Sequence, residues 1–290
     1  MYDQIISDLR NGKITSAENV LKWGVYAFSI KIKEINLKSS FISTYFKILN
    51  DSKKTILSTK KNQPSLFSAL NYIFDKSRYI HFKDLDEIKE DVLERLNTIE
   101  DRVKFVNYKI SQIASKKIKN GMKVFTFGHS SFVEEILEES LKSSKFILNY
   151  SEVGIPIKSY VQRLSKLLKV NYYPFFMIDS AISNSDIILI GTNGCNVDGF
   201  LCQSGVSAIL DIAQMKGIPV YVVSDLLKFS KDFKFDLNID CDFSIVLPKN
   251  IDLISKKYEF ISFDLFDGII SEIGITNWRD YKHEAETNLK

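Results

Sequence analysis

The sequence predicts an α/β protein with an N-terminal all-helical domain, residues 1–118, followed by a Rossmann-like, doubly wound, mostly parallel sheet domain, residues 119–290. Two observations carry this. Up to about residue 118, apolar residues recur every three or four positions and no stretch alternates as a strand does. After Asn120-Gly121, a helix-stop pair, the period changes, and short β-branched runs alternate with amphipathic segments.

In the first half, helices are expected at 3–10, 16–35, 39–55, 65–75 and 84–117. Ser16 precedes an apolar run beginning at Val20 and reads as a helix entry. The last segment carries one stripe, with Leu85, Ile88, Val92, Leu96, Ile99, Val103, Val106, Ile110 and Ile113 opposite a face of glutamates and lysines. In the second half, strands are expected at 123–127, 146–150, 172–177, 187–190, 220–223, 243–246 and 260–263. Helices are expected near 131–143, 156–168, 179–184, 204–216 and 224–230. Continuous apolar strands separated by helices describe a parallel sheet covered on both faces. Ligands of such sheets bind beyond the carboxyl ends of the strands, where the strand order reverses.

Composition removes several classes. The chain has 290 residues, 45% hydrophobic and 26% charged, which suits a packed globular protein rather than long disorder. A net charge of +3 is no nucleic-acid footprint, so no direct nucleic-acid partner is expected. No apolar run approaches the ~18 residues of a membrane span. The opening MYDQIISDLRNG is acidic and amphipathic, unlike a signal peptide. The three cysteines, Cys195, Cys202 and Cys241, are an odd number, as in reducing compartments. A soluble, cytoplasmic protein is expected.

The loops carry few motifs. His81, His129 and His283 lack metal-binding spacing, and the cysteines form no CxxC, so neither metal nor cofactor is expected. No GxSxG elbow and no P-loop occurs. The loop 191–199 (GTNGCNVDG) follows a strand and is either a turn shaped by glycine and asparagine or a loop placing a polar side chain over a pocket. Ser204-Gly205 opens a helix but has no basic neighbour: Gln203 is neutral and the next lysine is Lys216. It reads as an ordinary cap. The segment 57–65 (LSTKKNQPS) reads as a solvated linker, although it could lend a lysine to a pocket. Asp179 follows the expected strand 172–177 and is therefore a candidate to face the pocket.

The stretch 187–229 (IILIGTNGCNVDGFLCQSGVSAILDIAQMKGIPVYVVSDLLKF) resembles a family comprising the α, β and δ subunits of translation initiation factor 2B, their archaeal homologues and related sugar-phosphate isomerases. LSTKKNQPSLFSALNYI is similar to that family's Ala-Arg-Pro-Thr segment, VFTFGHSSFVEEIL to its Thr-His-(Ser/Cys)-x-Ser turn, and FISFDLFDGIISEIGI to its closing segment. The isomerases act on methylthioribose 1-phosphate or ribose 1,5-bisphosphate with a cysteine in the first turn and an aspartate after the later strand. The positions matching those two are Gly128 and Asn193. Glycine has no proton to give, and asparagine is no base near neutral pH. The phosphate-binding arginines fall on Lys60 and Glu152, with Lys61-Asn62 in place of Pro-Thr. The Asn-Lys pair falls on Cys202 and Gln203. A carboxylate at Glu152 would repel a phosphate dianion.

The resemblance therefore implies no catalytic residue, and a ligand pocket built from Lys60, Gly128, His129, Ser130, Glu152, Asp179, Asn193, Gly194, Cys202 and Gln203. His129 is expected as an isolated polar side chain at its mouth. The implied function is a regulatory or scaffold subunit linked to translation initiation. It would form a homodimer or higher oligomer through the α/β part, with residues 220–275 as the expected surface, and take initiation factor 2 as a partner. The alternatives are a phosphosugar isomerase with a displaced catalytic set, for which Asp179, Asp198, His129 and Cys195 are candidates, or a sensor of a phosphosugar or nucleotide ligand. Cys195 and an aspartate meeting in one pocket beside a basic cradle would favour the enzyme.

Overall fold

In the computed structural model, residues 1–14, 16–37, 41–153, 159–241 and 248–288 are described. Five helices come first: α1 (Tyr2–Arg10), α2 (Ala17–Glu34), α3 (Ile42–Leu57), α4 (Pro64–Ile73) and α5 (Leu85–Ala114). Local chemistry sets their starts. The Ser16 hydroxyl accepts from the Asn19 amide, Pro64 occupies the first turn of α4, and Asp84 accepts from the Asp86 amide. Their apolar stripes close one core, in which Leu9, Phe28, Leu49, Leu70 and Leu96 are fully buried.

The chain then alternates β1 (Lys123–Phe127), α6 (Ser131–Ser140), β2 (Ile147–Ser151), α7 (Ser159–Leu164), β3 (Lys169–Tyr172), α8 (Ile178–Ser183) and β4 (Ile187–Gly191). After β4 a short antiparallel pair intervenes, β5 (Gly194–Cys195) and β6 (Phe200–Gln203). Then come α9 (Val206–Lys216), β7 (Val220–Val223), β8 (Tyr258–Ile261), β9 (Gly268–Ser271), β10 (Gly274–Thr276) and α10 (Trp278–Asn288). The main sheet has the order β10-β9-β7-β4-β1-β2-β3 and is parallel except for the β9–β10 hairpin. The chain runs outward from β1 through β2 to β3, then returns to β4 on the other side of β1. The switch point is therefore the crevice beyond the ends of β1 and β4.

Helix α5 joins the two layers. As far as Ile99 it packs in the helical core; from Val106 onward it packs with α6 and the sheet. Leu227, in the turn after β7, reaches back into the helical core and is fully buried there. The Arg102 guanidinium of α5 donates to the buried Glu272 carboxylate after β9. No described helix is long and apolar enough to cross a membrane.

Several expectations need correction. Residues 172–177 are not a strand: β3 ends at Tyr172, and Pro174, which has no N–H to give a ladder, leads into a 3-10 turn over Phe175–Met177. The run near 260 is a strand, but it pairs with β6 in a separate three-stranded sheet of order β5-β6-β8. The segment 224–230 is one 3-10 turn, Leu226–Lys228. The expected strand 243–246 lies outside the described residues, as does part of the expected helix 156–168. The 57–65 segment is not a solvated linker throughout, because Asn62 is buried and exchanges hydrogen bonds with the Asp236 backbone (2.7 and 2.8 Å).

Replacing Arg102 by methionine leaves the Glu272 carboxylate buried without its cation, with the Leu226 amide as a remaining donor. Chemical denaturation should read a loss of about 3 kcal/mol; a loss below about 0.5 kcal/mol would show that this pair does not hold the layers together.

Candidate functional site at the sheet switch point

The crevice is built from the ends of β1 and β4. Strand β1 is followed by Gly128, whose φ of +67° suits glycine. Its amide donates to the Ser151 carbonyl (2.9 Å), and its own carbonyl accepts from the Tyr160 hydroxyl (2.8 Å). Ser130 caps α6, its hydroxyl accepting from the Val133 amide, and it presses on Gly191 at the end of β4. A Cβ placed on Gly191 would lie 2.3 Å from the Ser130 Cβ.

Gln203, the last residue of β6, completes the closure. A Cβ placed on Gly128 would lie 2.1 Å from Gln203 Oε1, so that amide fills the space a side chain at 128 would need. The loop after β4 is covered as well. A Cβ on Gly194 would lie 2.1 Å from Pro64 of α4 and 3.2 Å from Phe235. The half-buried Asn193 gives its amide to the Leu201 carbonyl (2.9 Å).

The remaining expected residues divide. Glu152 is buried at the end of β2 and accepts from the Tyr150 hydroxyl (2.7 Å). Cys202 is fully buried, and burial pushes its thiol up to about 12. His129 is not isolated: its Nε2 lies 3.3 Å from Glu134, which also accepts from Arg163, and its ring packs on Tyr160. Lys60 is half-buried, with Nζ 3.9 Å from where a Cβ on Gly12 would stand, in the turn after α1. Asp179 does not face the crevice. It is exposed on α8 and pairs with Lys216 (2.9 Å), at the end of α9 remote from the crevice. Cys195 does not meet a carboxylate in an open pocket. It is fully buried, its thiol raised by burial, with Sγ 3.7 Å from the Tyr281 hydroxyl. Asp198 is exposed in the turn between β5 and β6.

Sequence reasoning missed the charged group beneath the crevice. Lys228 is buried, and its ammonium donates to the Thr192 carbonyl (2.6 Å) and stands 4.4 Å above the Phe132 ring. Asp225, also buried, accepts from the Lys228 amide (2.8 Å). Burial depresses the Lys228 pKa, and the Asp225 carboxylate opposes that. Burial raises Asp225 to about 6; Lys228 opposes the rise and Glu272 adds to it. The only signal was the i, i+3 spacing of two charges inside the apolar run 220–229. Glu18, Ser65, Asn107 and Phe132 join this pair around a cavity of about 30 Å³. That space suits water-sized molecules, whereas small-molecule pockets run from about 300 Å³. Among the described residues, no group of three or more His, Cys, Asp or Glu side chains could hold a metal ion.

Chemically, the described residues supply backbone amides, a capping serine, the exposed His129 and a buried aspartate and lysine, while the thiols of Cys195 and Cys202 are buried. A thiol reagent should therefore label one of the three cysteines in the native protein, the half-buried Cys241, and all three after unfolding; fast native labelling of Cys202 would contradict this. Asp225 sets a pH dependence. Between its ordinary 3.8 and about 6, the folded protein holds a proton that the unfolded chain has released, so this group makes stability fall as pH rises through that window. Denaturation midpoints from pH 4 to 6 should have a more negative slope in the parent than in Asp225→Asn; equal slopes would refute the assignment.

Comparison with known proteins gives this geometry its context. The chain is 25% identical over 234 residues to the ribose 1,5-bisphosphate isomerase of Archaeoglobus fulgidus, covering 76% of this chain and 74% of that protein. It is 24% identical over 197 residues to the translation initiation factor eIF2B subunit alpha of Dictyostelium discoideum, covering 64% and 61%. Its fold matches the tetrameric eIF2B-beta2-delta2 complex from C. thermophilum with a TM-score of 0.81 at 13% identity, covering 100% of this chain and 94% of that one. With a family model matching residues 24–277, the chain belongs to the Initiation factor 2 subunit family.

Proposed function

We propose that this chain is a non-catalytic member of its family, a regulatory or scaffold subunit linked to translation initiation. The observation that carries the reading is the seating of Gln203 against Gly128. By the sequence resemblance, the isomerases' thiol falls on residue 128 and their cradle lysine on residue 203. Here one position has no side chain, and the other puts a neutral amide in its space. Acid–base isomerisation between C1 and C2 of a sugar needs a proton donor and acceptor at the carbon. Asn193 supplies neither. The thiols of Cys195 and Cys202 are buried and held protonated.

The scaffold reading carries three further parts. The α/β part forms a homodimer or higher oligomer, the helical residues 1–118 meet initiation factor 2, and the protein works in the cytoplasm. The likeness in fold to a C. thermophilum protein that assembles as a tetrameric beta2-delta2 complex supports the first of these. The second reading is a phosphosugar isomerase or sensor, favoured by the sequence likeness to the A. fulgidus isomerase.

Incubation of the purified chain with ribose 1,5-bisphosphate and with methylthioribose 1-phosphate separates the two. The proposal expects no turnover and no shift in melting temperature at millimolar ligand. Turnover would establish the isomerase, and stabilisation without turnover the sensor.

A further inference from the structure

Helix α5 changes character along its length. No aspartate or glutamate occurs between Asp101 and Glu134, while Arg102, Lys104, Lys109, Lys116, Lys117 and Lys119 fall in that interval. Lys116 and Lys117, in the 3-10 turn that follows α5, answer the helix dipole. The dipole does not explain Phe105 and Tyr108, which are 63% and 60% exposed three residues apart on one face. Lys104 and Lys109 flank them, both exposed.

A groove of about 270 Å³ opens beside this face. Phe105, Val106 and Lys109 form one wall, and Leu226, Ile273 and Asn288 the other. Arg102 lies in it with its Nε buried and without a hydrogen-bond partner among the described residues. Glu272 is already engaged by the Arg102 terminal nitrogen and the Leu226 amide. The groove therefore offers apolar walls, an aromatic ledge and the Lys109 ammonium at the rim.

We infer that the Phe105–Tyr108 face and its groove dock a segment of another protein that carries carboxylates among apolar side chains. Phe105 and Tyr108 supply the apolar anchor, and Lys109 at the rim receives an acid group. A second copy of this chain is the poorer occupant. A two-fold contact through this face would bring its exposed lysines, Lys104 and Lys109, against the same basic face of the other copy. Asp101, paired with Lys104 at 3.2 Å, stands at the same edge and disfavours a polyphosphate backbone. The inference is independent of whether the crevice turns over a sugar.

The test is selection of a displayed random dodecapeptide library on the full chain, followed by titration of the selected peptides as synthetic probes. Peptides enriched in Asp and Glu together with Leu, Phe or Trp are expected. Their affinity should drop at least about tenfold on Phe105→Ser/Tyr108→Ser and on Lys109→Glu. Both variants change exposed side chains, and unchanged circular dichroism and melting temperature will confirm that they fold. Selected peptides without acid enrichment, affinity indifferent to both variants, no selected peptide at all, or self-association that these variants abolish would each overturn the inference.

Discussion

Burial of one ammonium group, Lys228 Nζ, organises the centre of this molecule. It donates to the Thr192 carbonyl, lies over the Phe132 ring and is attracted by the nearby Asp225 carboxylate, which accepts from the Lys228 backbone amide. Those contacts tie together the loops after β4 and β7 and the start of α6. The two residues before it act in other directions. The Leu226 amide is held by Glu272, which is held by Arg102 of α5, and Leu227 enters the core of the helices. Three consecutive residues therefore fix the sheet's switch point to the helices that cover it. Burying a cation is costly unless hydrogen bonds and a nearby opposite charge offset it, which Thr192 and Asp225 do for Lys228.

On the proposed non-catalytic reading, a fold with a ready crevice need not have a reaction in it. Doubly wound sheets place loops at the switch point whatever the side chains there do. In this chain Gln203, Ser130 and Pro64 press against the glycines that would otherwise let a ligand approach the backbone. A Cβ at 191 or 194 would collide with Ser130 or Pro64, whereas one at 128 would meet the mobile tip of Gln203.

The helical half and the central strands were legible because each obeys one period. The α5 stripe from Leu85 to Ile110 and the runs at β1, β4 and β7 are buried much as their spacing requires, with Val103 and Tyr221 half-buried. Legibility ended where a local signal was overruled. Pro174 cut short an apolar run that otherwise reads as a strand. The run at β8 has strand composition, but composition does not say which sheet it joins. Asp179 depended on that mistaken strand. Convergence was the least legible property, since nothing local in Gln203 or Gly128 tells that one covers the other. Lys228 was hidden for the opposite reason: a lysine three residues after an aspartate looks like the wet face of a helix, and only the tertiary structure buries it.

The central claim is that the protein's own side chains occupy the crevice where a phosphosugar would sit. A crystal structure after soaking in millimolar ribose 1,5-bisphosphate tests it most directly. The account predicts Gln203 Oε1 still seated on Gly128 and no sugar phosphate between β1 and β4. Gln203 swung away, with a phosphosugar resting on the Gly128 backbone, would contradict it.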